Sequence, residues 1–203
     1  LNRVGYSSFY DTLQSLELIN YPNRGPEHYG LGMVIGNPEV TLVQLASSYA
    51  ALARGGLFIP AKYFANDINP KGGRVYSEEA SYILTDMLSD PSARNITFGD
   101  FFNQKLPFKV ALKTGTSTNY RDGWIVGYTP QHTIAIWVGN FNGQPTAGMS
   151  GAQATAPILI DILNELYPNG FSSPFPKPEG VVSSEVCSYS GMKPNNFCPH
   201  IKR

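Results

Sequence analysis

Lys113-Thr-Gly-Thr-Ser117 gathers a cation, three hydroxyls and a glycine behind the run Lys109-Val-Ala-Leu112. That run reads as a strand. Strand side chains alternate, so Thr114 and Thr116 share one side while Lys113 shares the other with Gly115. Glycine weakens a strand unless a ligand or another backbone must come close there. A strand end of this kind offers a cation, hydroxyls and backbone N–H donors to a peptide carboxylate or a developing oxyanion. The order of residues excludes a phosphate-binding loop, in which the glycines precede the lysine and a helix follows. Taken alone, Lys-Thr-Gly also fits a polar strand end running into a turn.

The elements around this stretch predict a mixed α+β fold, an antiparallel sheet covered by helices. Residues 8–18 carry an amphipathic helical pattern through Phe9, Leu13 and Leu16, and 21–36 read as a loop. Asn37 is expected to cap a helix over 40–53, with Pro38 and Glu39 suited to its first turn and Gly55-Gly56 ending it. An extended segment follows at 57–64. Ser77 should cap a second helix over 78–88, which Pro91 helps to close. Three strands are predicted at 109–117, 123–128 and 133–141, the last two joined as an antiparallel hairpin by Thr129-Pro-Gln-His132. A final helix over 152–167 is read with Ile158, Ile162, Leu163 and Leu166 on one side. Residues 1–167 form one unit in this reading, and 168–203 a Pro-rich extended tail with a two-cysteine segment.

Fifteen basic residues balance fifteen acidic ones, so clustered charge for gripping nucleic acid is lacking. No run of 18 apolar residues is present. The chain begins with Leu1, which suggests a piece of a longer protein. Cys187 and Cys198 would pair in an exported chain and remain thiols in an intracellular one; a zinc site with His200 is a third, weaker reading. His28, His132 and His200 fall in separate turn-like segments without ligand spacing and are expected to be solvated; no metal or cofactor is implied. Trp124 and Trp137 are expected in the core, and Arg121-Asp122 as a local ion pair or turn. The Phe98–Phe102 cluster with Phe108 should cover the sheet, and 174–178 reads as an extended linker.

Context sharpens the strand. Asn119-Tyr-Arg-Asp-Gly-Trp-Ile-Val-Gly-Tyr-Thr-Pro130 after Lys113-Thr-Gly115, and Gly139 after Ile-Ala-Ile-Trp-Val138, closely resemble class A, bifunctional penicillin-binding proteins. Gly36 to Gly56 resembles the helix that these transpeptidases carry ahead of the strand, with Asn37-Pro38 where glycines are common. Val186-Cys-Ser-Tyr-Ser-Gly-Met-Lys-Pro and Cys198-Pro199 resemble the close of the domain in the penicillin-binding protein 1C branch.

The resemblance implies an incomplete transpeptidase/β-lactamase-like fold and a serine acyl-enzyme that cross-links peptidoglycan stem peptides and binds β-lactams. It assigns Lys113 and Thr116 to catalysis, the Thr116 N–H being half of an oxyanion hole. Thr114, Gly115, Ser117, Arg121 and Asp122 fall to substrate binding. No Ser-x-x-Lys is read anywhere along the chain and no Ser-x-Asn suits the second motif; Ser15-Leu-Glu-Leu18 and Ser92-Ala-Arg-Asn95 fail by spacing or residue type. The nucleophile is therefore expected upstream of Leu1, with a glycosyltransferase domain and membrane anchor, on the periplasmic or extracytoplasmic side of the bacterial inner membrane. The partners implied are stem peptides, β-lactams and the upstream part of the same protein, and the chain alone should be inactive. A serine β-lactamase-like hydrolase and a degenerate, non-catalytic peptidoglycan-binding domain are the alternatives.

Overall fold

The computed structural model describes residues 1, 3–95, 105–170, 173–198 and 201–202. Helix α1 spans Tyr6–Ser15, shorter than the apolar pattern suggests. Glu17, with φ 57°, turns the chain in the left-handed region and drops Leu16 into the core. The predicted loop over 21–36 is instead partly helical. A short helix α2, Pro26–Tyr29, opens on a proline whose fixed φ suits the first turn, and a 3-10 turn follows over Gly30–Ile35. Tyr10, Tyr29 and Met33 bury one another there, the tyrosine rings 6.2 Å apart.

Helix α3 is Leu42–Ala53, and its cap is Thr41, not Asn37. The Thr41 hydroxyl accepts from the Gln44 N–H at 3.2 Å, and the Gln44 side chain accepts from the Thr41 N–H at 2.8 Å. This reciprocal box satisfies two donors at once and outcompetes Asn37, whose amide instead donates to the Tyr29 carbonyl at 2.8 Å. Gly55 and Gly56, both at positive φ, end the helix as expected. A two-residue pair, β1 (Leu57–Phe58) and β2 (Gly73–Arg74), leads to α4, Glu78–Ser89, capped by the Ser77 hydroxyl on the Ala80 N–H at 3.1 Å.

Three antiparallel strands form the central sheet in the order β3 (Ala111–Thr116), β4 (Asp122–Tyr128), β5 (Thr133–Gly139). The β4–β5 hairpin over 129–132 is the one predicted. Helix α5, Gly151–Leu166, covers one face, where Leu112, Ile125, Ile136, Leu159, Ile160 and Leu163 make the main core. Full burial of a Leu stabilises by about 1.5–3 kcal/mol, so Leu159 and Leu163, both at 0% exposure, anchor α5. The apolar side differs from the sequence reading. Thr155, Ala156, Leu159, Ile160 and Leu163 face the sheet, while Ile158, Ile162 and Leu166 stay exposed. Small residues win the inner side because β4 contributes Gly123 and Gly127, which let the helix approach closely.

Helices α3 and α4 cover the other face through buried Tyr128, whose hydroxyl meets Thr85 Oγ1 at 3.0 Å and whose ring packs 6.2 Å from Tyr49. The Pro-rich segment returns across these helices, and Phe175 packs edge-on to Tyr128 at 5.8 Å. Beyond it, β6 (Val186–Cys187) pairs with β7 (Ile201–Lys202), and Cys187 is disulfide-bonded to Cys198 with Cα atoms 5.8 Å apart. The Phe98–Phe102 cluster and His200 lie outside the described residues.

Candidate active site

Strand β3 carries the chemistry-bearing residues, and its place at the edge of the sheet decides what they can do. Lys113 pairs with Val126, Thr114 with Ile125, Gly115 with Trp124 and Thr116 with Gly123. The Ser117 N–H donates to the Asp122 carbonyl at 3.0 Å, which fixes the phase of the ladder. Bonded pairs recur at every second residue. Lys113 and Gly115 therefore turn their backbone groups toward β4, and Thr114 and Thr116 turn theirs to the open edge. The Lys113 Nζ donates to the Thr114 carbonyl oxygen at 2.7 Å, so the exposed ammonium rests on that edge beside both N–H groups.

The side chains divide as alternation requires. Gly115 lies on the Trp124 side, where an added Cβ would meet the Trp124 Cβ at 3.5 Å, an ordinary contact. Thr116 is on the opposite side, and its Oγ1 accepts from the Gly151 N–H at 2.8 Å, at the start of α5.

Past Thr116 the chain turns sharply through Thr118–Tyr120, with Asn119 and Tyr120 both at positive φ. Asp122 ties this turn down. One carboxylate oxygen accepts from the Ser117 hydroxyl at 2.7 Å and the other from the Trp137 indole N–H at 2.9 Å. Thr146 clips the turn from outside, its hydroxyl and N–H both donating to the Tyr120 carbonyl, at 2.7 and 2.8 Å.

Several expectations change here. Arg121 and Asp122 do not pair: the Asp122 carboxylate is taken by Ser117 and Trp137, and Arg121 is exposed. Trp124 and Trp137 are half-buried cross-strand neighbours, ring centroids 6.4 Å apart, because they sit on the sheet face that α5 does not cover. His132 is exposed but partnered, its Nδ1 2.6 Å from the Tyr167 hydroxyl, and His28 lies 3.2 Å from an Arg24 nitrogen. Among the described residues no cluster of His, Cys, Asp or Glu could hold a metal ion. Gly151, Thr146 and Trp137 were not legible as site residues, since each reaches the strand end from a distant segment.

Contrary to the sequence reading, one Ser-x-x-Lys spacing does occur, Ser190-Gly-Met-Lys193. It lies inside the disulfide loop, where the Ser190 hydroxyl accepts from the Met192 N–H at 3.3 Å and shapes a turn. That loop lines a shallow cleft of its own with no residue of Lys113 to Asp122 in its walls. Ser117-Thr-Asn119 has Ser-x-Asn spacing, but its hydroxyl is committed to Asp122.

Residues 2–164 match the penicillin binding protein transpeptidase domain. The chain belongs to that family. Penicillin-binding protein 1A of Clostridium perfringens is 29% identical over 97% of this chain and 25% of its own length. Penicillin-binding protein 1C of Escherichia coli is 28% identical over 95% of this chain and 24% of its own length. Class A relatives of both the 1A and the 1C kind thus stand at similar distance, and the chain spans about a quarter of their length. In fold it resembles the crystal structure of penicillin-binding protein 1A from Haemophilus influenzae, with a TM-score of 0.78 at 15% identity, over 99% of this chain and 36% of that one. The mixed fold of helices on an antiparallel sheet is therefore the penicillin-binding transpeptidase fold. Among the described residues no helix is long and apolar enough to cross a membrane.

Proposed function

We propose that this transpeptidase segment supplies the substrate-binding edge of a peptidoglycan D,D-transpeptidase whose serine nucleophile lies upstream of Leu1. The observation that carries this reading is the edge of β3. Two N–H groups, of Thr114 and Thr116, point outward beside an exposed ammonium and a glycine. A stem peptide, or the β-lactam that mimics it, adds along that edge as a further strand. The Thr116 N–H serves the oxyanion formed when the serine attacks the penultimate D-Ala carbonyl. Lys113 supplies positive potential and takes part in proton movement, and Thr114 and Thr116 hold the terminal carboxylate. Ser117 and Asp122 keep the strand end in register, and Arg121 lies beside it in solvent. The reaction is placed on the outer side of the cytoplasmic membrane, where stem peptides are found.

A fluorescent penicillin tests the reading. The natural-length protein should be labelled on an upstream serine and the 203-residue chain alone should not. Lys113→Ala should slow acylation by about 10²-fold, the low end of the loss typical of a group that takes part in proton transfer. A covalent adduct on the isolated chain, or acylation untouched by Lys113→Ala, would overturn it.

A further inference from the structure

We infer that Gly151 is a positioning residue for Thr116, fixing the orientation in which the Thr116 hydroxyl donates to the carboxylate of the substrate. This rests on the transpeptidase reading above.

The geometry begins with a backbone contact between elements far apart in sequence. The Gly151 N–H donates to Thr116 Oγ1 at 2.8 Å, across 35 residues. The approach is so close that a Cβ on Gly151 would collide with the Gly115 carbonyl oxygen and stand 3.1 Å from Thr116 Oγ1. Gly123, the β4 partner of Thr116, completes the arrangement: a Cβ there would lie 3.2 Å from the Gly151 Cα. Gly151 does not have positive φ, so space and not backbone freedom demands a glycine.

The first turn of α5 aims this N–H at the strand. Ser150 and Gln153 form a capping box, the Ser150 N–H donating to the Gln153 side chain at 3.0 Å and the Gln153 N–H to the Ser150 hydroxyl at 3.3 Å. The Gly151 N–H is directed at Thr116. A threonine hydroxyl has one hydrogen to give and two lone pairs. With an N–H filling a lone pair, the hydrogen turns away from α5, and the described residues offer it no acceptor. Thr116 is exposed, so an arriving anion takes that hydrogen. Gly151 touches no substrate in this account; it acts through Thr116.

The test compares acylation of the natural-length protein, upstream serine included, by a penicillin and by the methyl ester of the same penicillin. The ratio of the two rates reads carboxylate recognition and does not depend on the fraction of protein folded. Thr116→Val should lower the acid-over-ester ratio roughly tenfold, the scale of one hydrogen bond to a charged group. Gly151→Ala should lower it by a similar factor. The double variant should match either single one, because Gly151 acts on the carboxylate only through the Thr116 hydroxyl. Gly123→Ala, which crowds the same approach from β4, should shift the ratio the same way and serves if Gly151→Ala does not fold. A ratio unmoved by Thr116→Val sinks the assigned role of Thr116 itself. A ratio lowered by Thr116→Val but not by the glycine variants, or effects that multiply in the double variant, overturns the role of Gly151 and leaves the transpeptidase reading standing.

Discussion

The Ser117 hydroxyl donates to the Asp122 carboxylate at 2.7 Å and in turn accepts the Asp122 backbone N–H at 2.9 Å, a two-way clasp at the end of β3. A third bond, from the Trp137 indole, extends the clasp to β5. Hydrogen bonds to a charged group contribute about 1.5–3 kcal/mol each. Asp122→Ala should therefore cost about 2–4 kcal/mol, discounting for half-burial, and Ser117→Ala about 1 kcal/mol. Denaturant unfolding of the chain measures both. A Ser117→Ala effect as large as that of Asp122→Ala would show that the bond from the Asp122 N–H to Ser117 matters as much as the bond from Trp137.

Lys113 is exposed, and its ammonium donates to the carbonyl of the next residue. Lys113→Met should leave the unfolding free energy within about 0.5 kcal/mol of the parent, as for an ordinary surface substitution. A large loss of stability would mean that the lysine is a structural brace.

Tyr128 is fully buried against Thr85, and burial pushes its phenol up to about 12. The unfolded chain ionises this group near pH 10. With the folded value raised, its contribution to stability is complete below about pH 10 and is lost as pH rises toward about 12. The loss is at most about 2.7 kcal/mol, two pKa units at 1.36 kcal/mol each. Tyr128→Phe should flatten the alkaline limb of a stability profile while costing about 1 kcal/mol at neutral pH for the Thr85 bond. Burial also raises Tyr49 and Tyr76, so some slope should remain.

Thr41→Ala should cost about 1 kcal/mol, the usual worth of an N-cap. It should also speed hydrogen exchange at the Gln44 amide, whose acceptor is lost. Asn37→Ala should leave that amide unchanged, because Asn37 serves the Tyr29 carbonyl instead. Equal acceleration by both would restore Asn37 as the cap.

The strand, its hairpin and the Ser77 and Gly55 helix ends were legible because each depends on residues a few positions apart. Thr41 was missed for a different reason: Asn37-Pro-Glu39 and Thr41-x-x-Gln44 are both credible helix starts, and only the reciprocal side-chain geometry separates them. Helix α5 is apolar on more than one side, so periodicity could not tell Leu159 from Ile158; the glycines on β4 decide that. At the site, the alternation of Lys113 against Thr114 and Thr116 followed from strand geometry. The partners of Thr116 and Asp122 did not, since Gly151 and Trp137 meet them only after the chain has folded back.

An open sheet edge is a hazard as well as a tool. It is a template for a strand from another copy, and proteins commonly blunt such edges with proline, a bulge or a covering loop. If β3 receives a peptide as proposed, it cannot be blunted in those ways. Lys113 resolves the conflict by sign: edge-to-edge pairing of two copies would bring like charges together, whereas a ligand ending in a carboxylate is drawn in. On the proposed reading, one ammonium would both draw in the substrate and help to keep the protein from assembling with itself.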